Sequence, residues 1–266
     1  MRPVATVAFL HAHPDDECLT TGGTMARLAA EGHEVILVTA TGGELGEVPE
    51  GLLADGEELW QRRLDELAAS ARILGVAHRE LLGYRDSGMA GTEANREPAC
   101  FWQADVEEAA TRVAAILDAR GADVMVAYDE RGNYGHPDHI QVHRVGMRAA
   151  VLAGTGAVYQ ATVDRDAIVA MMREVQQSGG LDLPEGSVAP DPDTVDFGMP
   201  GEAITTRVDV TSYTALKRAA MRCHASQISE VSFFLQMPDE LFKRAFGTEW
   251  FIKVSGPEGV PVDQLV

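Results

Sequence analysis

The 266-residue sequence predicts an α/β fold with an open, mainly parallel sheet and helices on both of its faces. Short apolar or β-branched segments alternate with longer segments whose apolar residues recur at helical spacing. The short segments are almost continuously apolar, which is typical of parallel strands buried on both faces. Glycines follow the first three helical segments, where a helix end favours a left-handed residue. Together these patterns predict a Rossmann-like arrangement.

The elements follow one another in a regular order through most of the chain. The helical assignments depend on apolar faces such as Leu64, Leu67 and Ala71 in the second helix. The predicted strands are residues 4–10, 34–40, 79–82, 123–128, 158–163, 204–210 and 250–254. The predicted helices are residues 24–31, 57–74, 104–120, one starting after His136, 167–177, 213–226 and 238–246.

We expect a single domain over residues 1–266, with a catalytic core at about residues 1–165. Residues 174–206 contain seven acids, four prolines and five glycines but no Lys or Arg. This composition predicts an acidic excursion over about residues 178–203, a long loop rather than a linker, because another strand follows it. Residues from about 204 to 266 are expected to form an α+β extension packed on the same domain.

The charge balance excludes two classes of partner. With 22 Lys or Arg and 41 Asp or Glu, the formal net charge is −19. Such a charge opposes the phosphate contacts of nucleic-acid binding and disfavours anionic membrane surfaces. No apolar stretch approaches the ~20 residues needed to span a bilayer. We therefore expect neither a nucleic acid nor a membrane as partner, while a homo-oligomer is compatible with the sequence.

The N-terminus and the cysteines predict a cytoplasmic protein. Residues 4–10 run straight into the polar residues 11–17 without a small-residue cleavage pattern, so they fit a buried strand better than a signal peptide. Cys18, Cys100 and Cys223 are odd in number and lack Cys-x-x-Cys spacing, which disfavours a disulfide framework. A reducing compartment is therefore expected.

Two polar clusters follow predicted strands and carry the candidate chemistry. The first is HAHPDDE at residues 11–17, directly after the first strand. The second is NYGHPDHIQVH at residues 133–143, after the strand at 123–128. Ligands bind beyond the carboxyl ends of the strands in an open parallel sheet. The two loops should therefore meet at one edge of the sheet, although more than 100 residues separate them along the chain.

The side chains of these clusters suit a catalytic metal site. A catalytic zinc ion takes three protein ligands, often two histidines and a carboxylate, and keeps a fourth position for water. His13 and Asp16 are candidate ligands in the first loop, and Asp15 should point differently and stay available for proton transfer. The second loop offers His139, with His143 on the same helical face as a supporting neighbour, an ordinary helix-face residue or another ligand.

These residues resemble the PIG-L/LmbE-like zinc-dependent de-N-acetylases. The family signatures are AHPDDE after the first strand and HPDH after a later one, which stand here at residues 12–17 and 136–139. The resemblance covers at least residues 4–150. It continues in GYRDSGMAGT at residues 83–92 and AMRCHASQ at residues 220–227, which look most like the mycothiol-pathway branch.

The resemblance implies a role for each matching residue. It implies three zinc ligands: His13, Asp16 and His139. Fe²⁺ or another divalent metal tolerates the same donor set, so the motifs leave the ion open. The catalytic residues that it implies are Asp15 as general base, His136 and Tyr134 at the reacting centre, and Asp138 orienting a histidine. Arg63 and Asp86 match positions that hold sugar hydroxyls in the mycothiol branch.

The predicted function is metal-dependent removal of the N-acetyl group from an N-acetylglucosamine-type glycoside, an amino-sugar small molecule. Two alternatives share the chemistry, namely cleavage of mycothiol S-conjugates and deacetylation of a glycosylated secondary metabolite. A non-catalytic sugar- or metal-binding protein is the alternative from another class. A phosphoesterase is disfavoured, since the motifs hold too few carboxylate ligands for a two-metal site.

The glycine-rich segment TGGELGE at residues 41–47 invites a phosphate-binding interpretation. It matches neither GxGxxG nor GxxxxGK[ST], and Glu44 and Glu47 would repel a phosphate. We predict a flexible active-site rim instead. The acidity of the neighbouring loops further predicts that the site favours a neutral or amine-bearing sugar over an anionic one.

Overall fold

A computed structural model describes residues 4–177 and 191–266 as an α/β structure. The strands are β1 Thr6–His11, β2 Glu34–Thr41, β3 His78–Tyr84, β4 Val124–Tyr128, β5 Ala157–Thr162, β6 Thr206–Asp209 and β7 Thr248–Ser255. The helices are α1 Gly22–Ala30, α2 Leu59–Ile73, α3 Val106–Arg120, α4 Gly132–Gly135, α5 Pro137–Ala153, α6 Arg165–Gln177, α7 Thr214–Cys223, α8 Phe233–Gln236 and α9 Asp239–Phe246. Residues 178–190 of the predicted acidic excursion lie outside the described residues.

The strands form one sheet in the order β3-β2-β1-β4-β5-β7-β6. The first five are parallel, with Val7 opposite Val35 on one side of β1 and opposite Val124 on the other. The predicted open, mainly parallel α/β sheet is confirmed. The chain runs outward from β1 to β3 and then returns to place β4 beside β1. This reversal creates a crevice at the carboxyl ends of β1 and β4.

The C-terminal strands extend the same sheet in the opposite direction. β7 lies antiparallel to β5, with Tyr159 opposite Lys253, and β6 pairs antiparallel with β7. The strands and longer helices were predicted within a few residues, but the short helices α4 and α8 were not, because four residues carry no periodic signal. The insertion of β7 between β5 and β6 was not predicted either, because a strand sequence does not encode its neighbours.

Alternating side chains of the sheet build a core on each face. Val7 and Phe9 of β1 pack into a cluster with Met25 of α1 and Met221 of α7. Ala8 and Leu10 point the other way and join a second cluster with residues of α3 and α5. This period-two division explains why the strand sequences are continuously apolar. In the described ranges, none of the helices combines the length and apolarity that crossing a membrane requires.

A buried ion pair joins the C-terminal extension to the first helix. Lys217 Nζ lies 2.5 Å from Glu249 Oε1, and both side chains are 2% exposed. The Glu249 carboxylate also accepts the backbone N–H groups of Gly23 and Thr24, at 2.8 and 2.7 Å, at the start of α1. The pair therefore fixes β7 and α7 against the helix that follows the first sequence motif.

Replacing Lys217 with methionine is expected to lower the free energy of unfolding by about 3–5 kcal/mol, because Glu249 would lose its buried cationic partner. Denaturant titration followed by circular dichroism measures the loss. The matched control is Lys243→Met, which removes an exposed lysine paired with Glu240 and should change stability little. Equal stability of Lys217→Met and the unsubstituted protein would contradict the structural role of the pair.

Candidate active site

Both sequence motifs lie at the carboxyl ends of β1 and β4, inside the crevice of the sheet. The β1 strand ends at His11, and the loop after it carries His13, Asp15 and Asp16. The β4 strand ends at Tyr128, and a turn leads from it to His136 and helix α5. Because β1 and β4 are adjacent in the sheet, the two loops face each other, as the sequence predicted.

The first loop has an unusual backbone at Asp15. Its φ is 110°, in the left-handed region that residues with a β-carbon seldom adopt. The Asp15 N–H donates to Glu17 Oε2 at 2.9 Å, and the Asp15 carbonyl accepts from the Cys18 and Leu19 N–H groups. A π-helical turn from Glu17 to Thr21 follows. As a consequence, the two neighbouring side chains lie in different environments: Asp15 is beside Arg63, and Asp16 is beside His13 and His139.

The second loop is built on the buried Asp129. Its carboxylate accepts the N–H groups of Arg131 and Asn133 and the Thr162 hydroxyl. Gly132 adopts a φ of 61° against helix α5, where a β-carbon would overlap His139. These contacts form the tight turn that delivers Tyr134 and His136 to the crevice.

Helix α5 then presents its first turn to the site. Pro137 occupies the first helical position, where its missing N–H costs nothing. His136 caps the helix, because its Nδ1 accepts the Asp138 N–H at 3.1 Å. This bond assigns the proton of a neutral His136 ring to Nε2.

His13, Asp16 and His139 lie together at the centre of the crevice. Asp16 Oδ2 is 3.4 Å from His13 Nδ1 and 3.3 Å from His139 Nε2. All three side chains are buried. His136 joins them, since ligand atoms of His13, His136 and His139 lie within 4.8 Å of one another. This buried His/Asp cluster could bind a metal ion.

Asp138 orients His13 from the other side of its ring. Asp138 Oδ2 lies 3.1 Å from His13 Nε2 and accepts the Ser87 N–H at 2.9 Å, while Oδ1 accepts the Ser87 hydroxyl. Asp86 Oδ1 is 3.6 Å from the same His13 nitrogen. His13 thus turns Nε2 to carboxylates and leaves Nδ1 beside Asp16. A histidine ligand held by a carboxylate through its second nitrogen is a common arrangement in metal sites.

The His139 ring is held by stacking. Tyr128 packs against it at a centroid distance of 4.5 Å and an interplanar angle of 16°. His11, fully enclosed, bonds the Tyr128 hydroxyl at 2.7 Å. His143 Nδ1 contacts the Tyr128 carbonyl oxygen at 3.0 Å. His11 and His143 therefore support Tyr128, and within the described residues neither belongs to a group of side chains that could hold a metal ion.

Arg63 connects the first loop to the glycine-rich rim. Its guanidinium donates to the carbonyl oxygens of Gly43 at 2.7 Å and Pro14 at 2.5 Å, and Nη2 lies 3.2 Å from Asp15 Oδ2. Gly43 has a φ of 65°, and a β-carbon there would overlap the guanidinium. The glycine requirement of the rim thus comes from the close approach of Arg63.

Burial and neighbouring charges shift the pKa values of the site. Burial raises the pKa of Asp15 to about 6, against the opposing effect of Arg63. Burial also lowers the pKa of His136 to about 4, and the adjacent His13 acts in the same direction. Burial disfavours the charge of Asp16 as well, but His139 and His13 bring its pKa well below the ordinary value. A carboxylate with a pKa near the working pH suits proton transfer.

All nine residues to which the resemblance assigns a role lie at this crevice. Tyr134 is half exposed, and its hydroxyl lies 3.4 Å from His139 Nε2. Sequence reasoning assigned no role to three buried residues that support the loops: Ser70, Ser87 and His224. Ser87 and His224 lie within the RDSGM and AMRCHASQ segments, which signalled them. Ser70 carries no motif signal.

Comparison with known proteins finds a family whose match covers both motifs. Residues 8–150 match the family described as PIG-L: GlcNAc-PI de-N-acetylase. Two curated relatives are named 1D-myo-inositol 2-acetamido-2-deoxy-alpha-D-glucopyranoside deacetylase. The one from Acidothermus cellulolyticus is 42% identical over 264 residues, which covers 95% of this chain and 90% of that protein. The one from Thermomonospora curvata is 41% identical over 282 residues, which covers 96% of this chain and 92% of that protein.

The overall structure is also similar to a solved deacetylase. The N,N'-diacetylchitobiose deacetylase from Pyrococcus horikoshii superposes with a TM-score of 0.60 at 25% sequence identity. The match covers 94% of this chain and 84% of that one. The likeness thus includes the C-terminal extension as well as the region that carries both motifs.

Proposed function

Because this chain belongs to the PIG-L family of de-N-acetylases, we propose that it hydrolyses the N-acetyl group of a neutral N-acetylglucosaminide. The substrate that we infer is 1D-myo-inositol 2-acetamido-2-deoxy-α-D-glucopyranoside, the compound in the names of its relatives. The products are acetate and the free amino sugar. The observation that carries the proposal is Asp15, a carboxylate beside the His/Asp cluster that is not needed for binding an ion.

The donor atoms fit a zinc site made by His13, Asp16 and His139. The Asp138 carboxylate is hydrogen-bonded to Nε2 of His13, and the Asp138 backbone N–H donates to Nδ1 of His136. These two ring nitrogens are therefore already engaged. The atoms that remain close together are His13 Nδ1, Asp16 Oδ2 and His139 Nε2. Two imidazoles and one carboxylate form a usual catalytic zinc set, and Fe²⁺ accepts the same donors. Zinc, once bound, would supply Lewis-acid chemistry that acidifies the attacking water and polarises the acetamide carbonyl.

Asp15 acts as the general base in this proposal. Its carboxylate accepts a proton from the water molecule as that water attacks the acetamide carbon. Arg63, 3.2 Å away, keeps the carboxylate oriented and favours its charged form. The protonated Asp15 then returns the proton to the departing amine nitrogen, so that the same group serves as base and acid.

Tyr134 and His136 stabilise the developing oxyanion. The Tyr134 hydroxyl is a hydrogen-bond donor at the mouth of the site, and His136 carries its proton on Nε2 when neutral. The low pKa of His136 keeps it neutral near pH 7, so it donates a hydrogen bond and transfers no proton. Each such donor contributes about 3–4 kcal/mol to the stability of a transition state.

The charges around the site favour a neutral sugar. Asp86 and Arg63 border the cluster and are proposed to hold sugar hydroxyls. The carboxylates of Asp16, Asp86 and Asp138 all lie within 3.6 Å of the His13 ring, and this local negative charge would disfavour an anionic sugar. The free cysteines Cys18, Cys100 and Cys223 agree with a reducing compartment, from which we infer a cytoplasmic location.

Acetate release tests the proposal directly. The zinc-loaded protein is expected to deacetylate N-acetylglucosaminyl-inositol with a kcat/KM at least about tenfold above those for a mycothiol S-conjugate, a glycopeptide-linked N-acetylglucosamine and N-acetylglucosamine 1-phosphate. Bound metal is measured on the same samples. Preferred turnover of the S-conjugate or the glycopeptide would replace the proposed substrate. Tight metal binding without hydrolysis of any acetylated sugar would refute the enzymatic function.

A further inference from the structure

A buried carboxylate supports the strained backbone of Asp15. Glu17 is fully enclosed, and its Oε2 accepts the Asp15 N–H at 2.9 Å. No step of the proposed reaction uses the Glu17 side chain. A residue held at a φ of 110° persists only where its surroundings impose that conformation. Glu17 is therefore placed to act on the general base through the main chain.

The second oxygen of Glu17 is held by two other parts of the chain. Glu17 Oε1 accepts the Ser70 hydroxyl of α2 at 2.5 Å and lies 2.7 Å from His224 Nε2. His224 is itself fully enclosed and follows α7, 207 residues after Glu17. The contact joins the C-terminal extension to the loop of the first motif.

The segment around His224 has further anchors in the same region. Ser226 donates its N–H and its hydroxyl to Glu66 of α2, at 3.0 and 2.6 Å. Gln227 donates to the Glu47 carbonyl oxygen in the rim at 3.1 Å. These bonds fix the position of His224 relative to α2, so His224 can in turn fix the Glu17 carboxylate.

We propose that Glu17 and His224 are positioning residues for the general base: His224 holds the Glu17 carboxylate, and Glu17 holds the main chain of Asp15. The inference rests on the proposed deacetylase reaction. In this proposal His224 acts by donating a hydrogen bond from Nε2 to Glu17. His224→Gln should therefore preserve the function, because the glutamine Nε2 is also a donor and reaches a similar position. A residue without a donor at this position should release the Glu17 carboxylate, and the backbone of Asp15 should then leave its left-handed conformation.

The experiment compares His224→Leu, His224→Gln and Lys217→Met in the zinc-loaded full-length chain. His224→Leu should lower kcat for N-acetylglucosaminyl-inositol by about 10- to 100-fold, since a displaced catalytic group loses rate of that order. KM should stay within about twofold and bound zinc at the unsubstituted level. His224→Gln should recover kcat to within about threefold. Lys217→Met, which breaks the buried contact between α7 and Glu249, should lose stability but keep kcat.

Hydrogen exchange gives a readout that does not depend on activity. A peptide spanning residues 12–19 should exchange faster in His224→Leu than in the unsubstituted protein or in His224→Gln, while the peptide over α3 stays unchanged. Glu17→Met, which removes the acceptor of the Asp15 N–H, takes the place of His224→Leu if the latter does not fold. Unchanged exchange in that peptide, a kcat loss no larger than that of Lys217→Met, or no recovery in His224→Gln would each overturn the inference. If the unsubstituted protein releases no acetate, the proposed function fails, and the exchange comparison alone decides whether His224 positions the loop.

Discussion

Replacing Asp15 with asparagine is expected to lower kcat for acetate release by about 10²–10⁴-fold, the usual contribution of a general base. The asparagine side chain has nearly the same shape and can still contact Arg63, but its amide cannot accept the proton of the attacking water. Asp15 is largely buried, but 17% of its side chain is exposed, so it can reach a substrate. Steady-state kinetics at saturating substrate measures the loss.

Metal content distinguishes loss of the base from loss of the ion. Asp15→Asn should bind the same equivalent of zinc as the unsubstituted protein, because Asp16 is the proposed carboxylate ligand. The matched control is Asp65→Asn, an exposed position on α2, which should keep full activity. Full acetate release by Asp15→Asn would remove Asp15 from the mechanism, and loss of zinc would make it a ligand instead.

The location of the site follows from a property that is local in sequence. Polar residues that follow buried strands, such as His13 after β1, are recognisable without any tertiary information. Parallel strands then bring their carboxyl ends to one edge, so the meeting of the two motifs was predictable. The regular spacing of apolar residues predicted the helices for the same reason.

Contacts between distant segments were not predictable in the same way. Glu17 is recognisable as part of a motif. Nothing in the neighbouring sequence, however, indicates that Ser70 and His224 both hydrogen-bond to its Oε1. Likewise, Glu249 looks like an ordinary surface residue of a terminal strand, yet it binds Lys217 in the interior. Such buried polar contacts depend on how helices pack on the sheet, which a single sequence does not specify.

The role of the rim glycines was predictable only in part. The segment TGGELGE predicts a loop and excludes a phosphate site through its acids. The reason for Gly43 became apparent only from the guanidinium of Arg63, which packs against it. Arg63 itself was predicted to bind the substrate, and its bonds to Gly43 and Pro14 show that it also supports both loops.

Replacing His139 with alanine is expected to lower the affinity for zinc by more than about 100-fold and to abolish acetate release. Loss of a residue that only orients a ligand already costs about 10–100-fold in metal affinity, and His139 is proposed to be a ligand itself. Equilibrium dialysis against a zinc buffer measures the affinity. A chelator should inactivate the unsubstituted protein, and added zinc should restore its activity but not that of His139→Ala.

His143→Ala is the matched control, since it removes the same side chain one turn further along α5. His143 contacts the Tyr128 carbonyl oxygen at 3.0 Å, whereas His139 Nε2 lies 3.3 Å from Asp16 Oδ2. His143→Ala should therefore keep its zinc and most of its activity. Zinc loss in His143→Ala alone would move the ligand by one helical turn. Zinc loss in both variants would indicate that His143 supports the site through Tyr128, whose carbonyl oxygen it contacts and whose ring stacks on His139. Unchanged zinc affinity in His139→Ala would instead point to His136, the third histidine of the cluster, as the ligand.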